Sequence, residues 1–296
     1  MTARPLVAVD LDGTLIYSAR SLMLPDDDVL APRLAVTEVW RGAPLTFATT
    51  EALALLAELD AVATVVPVTT RTRAQYARVR LLDGSAPTSG PVPRYAVVAN
   101  GGHLLVDGSV DEGWATRVRA HMDASCRPLA EVVEALLRAT QGHRAGDVRL
   151  ADDLFAYVAV DEATLPPDRV HDLQQWCAAG GWRVCWHGRR LYCLPETLTK
   201  SSAVAEVARR LGCDRVLAAG DSLLDAELLE SVDAGVRPAH GELHEIAWRR
   251  PHVAVTANRG VVAGEEILRR LLELARGHAS DEIVSADARE GERTHV

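Results

Sequence analysis

Lysine is almost absent from this chain: of its 32 basic residues, 31 are arginine and one, Lys200, is lysine. Arginine carries a broad planar fork and lysine a compact, flexible point charge, so the two are not interchangeable. Where the one lysine falls therefore tests whether the bias carries meaning. Apolar runs approaching the ~20 residues of a membrane span are also missing, which excludes a membrane-embedded helix. The start, MTARPLVAVD, enters a strand-like run within a few residues and has no signal-peptide pattern; the cytoplasm is the expected compartment. No basic block exists, and the net charge is −9, which argues against a nucleic-acid partner. An anionic substrate would have to be held by a local cationic site or a metal rather than by the global field. The five cysteines are odd in number and form no C-x-x-C pair. That pattern speaks against a disulfide framework or zinc site and for reduced thiols, mostly in the core.

What is present is ordinary for a core-forming protein: 48% hydrophobic and 25% charged residues over 296 positions, enough for one large domain or two smaller ones. Short apolar runs at 5–10, 62–70, 94–100, 215–221 and 252–257 alternate with helical patterns. Near-continuous Val and Ala without polar alternation predicts parallel strands covered on both faces, hence an α/β fold. Helices are expected from Thr49 or Thr50, over 201–212, and ending at Gly277. Residues 102–194 read differently. Helical stretches around 114–126 and 128–140 precede a strand at 153–160, a helix beginning near 167, and a hairpin turning at Gly188 and Arg189. This α+β pattern predicts an inserted second domain. The polar tail 278–296 lacks periodicity and is expected to be disordered.

Chemistry concentrates at strand ends. In VAVDLDGTL, Asp10 closes a buried strand and Asp12 follows two residues on, so both carboxylates point to one sheet edge. That crowding is costly unless a cation or a shared proton compensates it. Gly13 permits a sharp exit, and the Thr14 side chain is expected to bond back and stabilise the turn. AAGDSLLDAELL supplies Asp221 and Asp225, whose spacing of four would place both on one helical face if a helix begins near Ser222. In open α/β sheets ligands bind at the carboxyl ends of the strands, and hard oxygen donors gathered there suit Mg²⁺. A third strand ends in VTTR, where Thr69 and Thr70 offer hydroxyls and Arg71 a fork for an anion. His240 and His244 lie four apart with no third ligand evident, and are read as surface residues.

DLDGTL, VTTR, Lys200 and GDSLLD occur in the order and separation of the four motifs of the haloacid dehalogenase-like (HAD) phosphatases, which the chain resembles over about 200 residues. VVANGG followed by an insertion is similar to the Cof-type and sucrose-phosphatase-like branch. Thr70 departs from the usual Thr-Gly-Arg of the second motif. The resemblance implies a Rossmann-like parallel-sheet core over 1–101 and 195–277 and an α+β cap domain over 102–194. It implies a Mg²⁺-dependent phosphomonoester hydrolase acting on a small phosphorylated metabolite such as a sugar phosphate, through an aspartyl-phosphate intermediate. Asp10 is the implied nucleophile and Asp12 the acid and base. Asp10, the main-chain carbonyl of Asp12, Asp221 and Asp225 are the implied metal site. Thr69 and Lys200 bind the transferring phosphoryl group, with Arg71, Asn100 and Gly101 in substrate or phosphate binding. A random placement among 32 basic positions would put the lysine on its motif about once in 32, so the bias has meaning. Lys200 is expected to be a solvent-accessible cation. A phosphotransferase or mutase of the same fold, or a non-catalytic phosphometabolite-binding protein, is the alternative. In the cap, Trp186, His187, Arg189 and Arg190 read as an exposed hairpin, and Trp40 and Arg41 as the turn of a flap hairpin.

Overall fold

The computed structural model describes residues 4–24, 31–81, 93–187 and 189–277. Gly188 and the polar tail 278–296 lie outside the described residues. The chain divides into two compact units, one formed by Met1–Val68, Arg78–Arg94 and Val204–Val296, the other by Thr69–Ala77 and Tyr95–Ala203.

In the first unit, β1 (Leu6–Asp10) is buried at every position, as expected for a strand covered on both faces. Fully burying side chains such as Leu6 and Val9, each 0% exposed, contributes on the order of 1.5–3 kcal/mol apiece. Beyond it, β2 (Tyr17–Ser18), β3 (Leu34–Trp40) and β4 (Ala43–Thr49) form an antiparallel sheet in the order β2-β4-β3. A hairpin is present in the expected stretch, but its turn lies one residue later than expected: Trp40 is the last residue of β3 and pairs with Ala43. Arg41 (φ 52°) and Gly42 (φ 79°) make its two-residue turn, the positive-φ pair whose twist matches that of the flanking strands. α1 (Thr50–Val62) starts where Thr49 accepts a hydrogen bond from Ala52 N at 3.0 Å and buries Ala52, Leu55, Leu56 and Leu59 along one stripe. β5 (Thr64–Val68) follows. It is shorter than the run expected at 62–70 because Val62 still belongs to the helix.

The second unit opens with α2 (Arg73–Tyr76), capped by Thr72. β6 (Tyr95–Val98), β7 (His103–Val106) and β8 (Ser109–Val110) pair antiparallel in sequence. The strand expected to reach residue 100 stops at Val98. There Ala99 (φ 49°), Asn100 (φ 56°) and Gly101 (φ 98°) turn the chain through three successive left-handed residues. α3 (Glu112–Ser125) and α4 (Leu129–Thr140) then precede β9 (Arg149–Ala151), β10 (Phe155–Ala159), α5 (Pro167–Ala178), β11 (Trp182–His187) and β12 (Arg190–Pro195). The four strands form an antiparallel sheet in the order β11-β12-β10-β9, on which α4 packs against β10 and α5 against β11. Arg189 and Arg190 are exposed beside the hairpin turn and Trp186 is half-buried. The five cysteines carry free thiols. Only Cys177 and Cys193 are fully buried, fewer than the mostly-core reading predicts.

α6 (Lys200–Leu211) begins at the one lysine. β13 (Val216–Ala219), α7 (Ala226–Glu230), β14 (Ala234–Arg237), α8 (Glu242–Glu245), β15 (Val253–Val255) and α9 (Val261–Ala275) complete the first unit. Its parallel strands run in the order β15-β14-β13-β1-β5, and α9 packs against α1. β14 was not expected from sequence: AGVR carries a glycine and a terminal charge within four residues, too little apolar length to announce a strand.

Candidate active site

Parallel register brings the acidic residues together. Val9 of β1 pairs with Ala219 of β13, so Asp10 and Asp221 leave adjacent strands at their carboxyl ends. Asp10 (5% exposed), Asp221 (7%) and Asp225 (0%) each offer a carboxylate oxygen, and these oxygens lie within 4.8 Å of one another. Three buried like charges at that separation are unstable without a cation between them, and an all-carboxylate donor set is that of a hard ion. The trio fits a metal site. The Asp12 carboxylate does not join it; Asp12 is half-exposed.

Asp225 reaches the cluster by a route that differs from the shared helical face expected of it. Asp221 precedes the helix, and Ser222 is extended (φ −108°, ψ 165°). Asp225 instead folds back over its own turn, its Oδ2 accepting from Ser222 N at 3.1 Å and Ser222 Oγ at 2.7 Å. These two bonds of the capping turn fix the orientation of the Asp225 carboxylate.

The loop after β1 is tight. Gly13 N donates to Ile16 O at 3.0 Å, and Leu15 and Ile16 N both donate to Leu11 O. Gly13 sits at φ +83°, and a Cβ there would stand 2.5 Å from Asp221 Oδ2; only glycine allows this approach. The Thr14 hydroxyl, expected to bond back onto the turn, is buried with no hydrogen-bond partner among the described residues. The backbone and Tyr17 stabilise the loop in its place, with Tyr17 OH donating to Thr14 O at 3.0 Å. Burial, reinforced by the charges of Asp221 and Asp10, pushes the Tyr17 phenol well above its ordinary range, so it stays a neutral donor.

Neither histidine of the expected surface pair joins the metal cluster. His244 is exposed, as expected. His240 is not: it is 5% exposed. Its Nδ1 accepts from Gly260 N at 3.1 Å, so the ring proton sits on Nε2, which donates to Gly13 O at 2.8 Å. Burial holds its pKa below the ordinary value, against the opposing pull of the Gly13 carbonyl.

In the second unit, Thr69 is 1% exposed, and its Oγ1 accepts from Arg71 N at 3.1 Å. Asn100 N donates to Thr69 O at 2.9 Å. The ANG turn also grips the segment that enters α6. Asn100 Nδ2 donates to Leu198 O at 2.8 Å, Trp114 Nε1 donates to Gly101 O at 2.8 Å, and a Cβ on Gly101 would overlap the Thr199 carbonyl. Lys200 follows directly and is 2% exposed, not the accessible cation expected. Its position at the first turn of α6 is held by the backbone on which Asn100 and Gly101 act.

The chain matches no family model and no curated protein at a significant level. Solved structures do match. The sucrose-phosphatase from Synechocystis sp. PCC6803, in complex with sucrose and phosphate, superposes with a TM-score of 0.62 at 15% identity, covering 92% of this chain and 98% of its own. A Thermoplasma acidophilum protein gives 0.59 at 15% identity (91% and 98% covered). BT4131, a sugar phosphatase of HAD subclass IIB, gives 0.56 at 11% identity (91% and 98% covered). The fold is that of the HAD subclass IIB proteins. At these identities the likeness is one of architecture: a mostly parallel central sheet with an inserted small antiparallel sheet, the HAD core and cap. Within that HAD fold, Tyr17 and His240 are the residues that sequence reasoning missed as parts of the loop around Asp12. Tyr17 had a faint signal, an aromatic residue seven positions after the first aspartate; His240 had none.

Proposed function

We propose that the protein is a metal-dependent phosphomonoester hydrolase acting on a small phosphorylated metabolite, with a sugar phosphate as the leading class. The buried Asp10–Asp221–Asp225 cluster at the carboxyl ends of β1 and β13 carries this reading. The HAD architecture, shared with phosphatases of small phosphorylated sugars, supports it. Asp10, Asp221, Asp225 and the main-chain carbonyl of Asp12 would hold Mg²⁺, which would supply charge neutralisation for a phosphate dianion brought beside carboxylates.

Asp10 attacks phosphorus with a carboxylate oxygen. The P–O bond to the leaving group breaks, and Asp12 gives that oxygen its proton. Water then attacks the aspartyl-phosphate, its proton passing to the Asp12 carboxylate, and inorganic phosphate leaves. Thr69 and Lys200 bind the phosphoryl oxygens, with Arg71 as a further anion fork, and residues 102–194 act as the cap that excludes water. Asn100 and Gly101 serve phosphate binding through the backbone leading to Lys200, which fits their hydrogen bond and packing against Leu198 and Thr199.

The test measures phosphate release from a panel of sugar phosphates, phosphoglycerate derivatives and nucleotides, with Mg²⁺ and with excess chelator. Metal-dependent release that disappears in Asp10→Asn is expected, because an amide cannot form the acyl phosphate. Turnover that survives the chelator would remove the metal from the scheme. Wild-type kcat in Asp10→Asn, with no deamidation by mass spectrometry, would remove the nucleophile.

A further inference from the structure

We infer that His240 is a positioning residue for the acid–base group: its imidazole clamps the peptide that follows Asp12 and so sets where the Asp12 carboxyl points. The inference rests on the phosphatase reading above.

In the loop from Asp10 to Thr14, Gly13 N and Thr14 N donate within the turn, and the Thr14 hydroxyl has no hydrogen-bond partner among the described residues. The carbonyls of Gly13 and Thr14 are each taken by a buried side chain. His240 Nε2 donates to Gly13 O at 2.8 Å across 227 residues of sequence, and Tyr17 OH donates to Thr14 O at 3.0 Å. The two rings lie against each other, centroids 5.9 Å apart and tilted by 58°. The far side of the imidazole is fixed as well, since Nδ1 accepts from Gly260 N at the start of α9. The Gly13 carbonyl is thereby tied through one neutral ring to the N-terminal end of a 15-residue helix whose face is buried in the core.

Gly13 is the residue directly after Asp12, at a positive φ of 83°. With the clamp removed, the Gly13–Thr14 peptide can rotate, and Asp12 moves with it. Asp10 is held separately by β1 and its strand partners. Loss of His240 should therefore weaken proton donation more than nucleophilic attack. General acid catalysis contributes on the order of 10²–10⁴-fold where the leaving group needs a proton. An aryl leaving group such as p-nitrophenolate departs without one; an alkyl alcohol does not.

His240→Phe keeps the ring volume and the contact with Tyr17 but removes both hydrogen bonds. The expected result, read in the first turnover before water attacks the aspartyl-phosphate, is a fall of roughly 100-fold in the rate of leaving-group release from an alkyl phosphate and of less than about 10-fold from p-nitrophenyl phosphate, with substrate affinity little changed. Steady-state kcat falls on both, because Asp12 also takes the proton of the attacking water. Asp12→Asn should show the same split in stronger form. A purely structural role for His240 predicts equal loss on both substrates, and that outcome overturns the inference, as does a variant with wild-type kinetics. Should His240→Phe not fold, His240→Gln, whose single amide can satisfy only one of the two partners, reads the same ratio at smaller amplitude. A wild-type protein inactive on both substrates refutes the phosphatase reading itself. An active wild type with uniform loss refutes only the clamp.

Discussion

Replacing Gly13 by alanine perturbs the proposed site through a single methyl group. The added Cβ would stand 2.5 Å from Asp221 Oδ2, 2.9 Å from Asp221 Cγ and 3.1 Å from Oδ1, where ordinary contact begins at 3.4 Å. Asp221 leaves the end of β13 and is 7% exposed, so it has little room to retreat. The carboxylate or the loop must move by roughly 1 Å, and a misplacement of that size at a reacting centre costs on the order of 100-fold in rate, about 2.7 kcal/mol of barrier. Alanine at φ +83° adds about 1–2 kcal/mol of backbone strain. Gly13→Ala should therefore destabilise the fold modestly while lowering kcat far more, and it should raise the Mg²⁺ concentration at half-maximal activity. The assay is phosphate release over a Mg²⁺ titration beside a urea melt of the same variant. Wild-type kcat and Mg²⁺ dependence in a variant with the expected loss of stability would show that the Asp221 carboxylate has no part in catalysis.

Lys200→Arg inserts a bulkier, planar cation where the native side chain is 2% exposed. Overpacking of this kind costs about 1–3 kcal/mol, and displacement from its proposed place beside the phosphoryl group should cost on the order of 100-fold in kcat/KM; an unchanged melt together with unchanged kinetics would refute both. His103 is buried (4% exposed), with Asp152 at 3.8 Å. Burial holds its pKa below the ordinary 6.5, aided by Arg73 and Arg119 and opposed by Asp152 and Glu112. The unfolded chain therefore takes up a proton that the folded one resists. This contribution to stability is complete above 6.5 and is lost as pH falls through the lowered folded value. Melting temperatures between pH 7.5 and 5 should fall less steeply for His103→Phe than for the wild type, and identical slopes would refute the assignment.

Much of the fold is written locally. LVAVD is a five-residue apolar run that can only be covered on both faces, and Thr49 and Lys200 mark helix starts at the positions where α1 and α6 begin. DLDGTL and GDSLLD were enough to predict the sheet edge at which Asp10, Asp221 and Asp225 meet, because strand polarity follows from backbone geometry alone. Tertiary structure decided the rest. Local spacing suggested a common helical face for Asp221 and Asp225, but a capping turn brings them together instead. Lys200 is enclosed by packing that no neighbouring residue announces, and Asn100 grips a carbonyl 98 residues away. His240, which sequence placed at the surface, ends beneath the first loop with its tautomer set by two backbone groups. Each of these depends on which segments the folded chain brings side by side. Periodicity reports only how a segment sits on its own backbone; burial and long-range hydrogen bonding arise from the path of the whole chain.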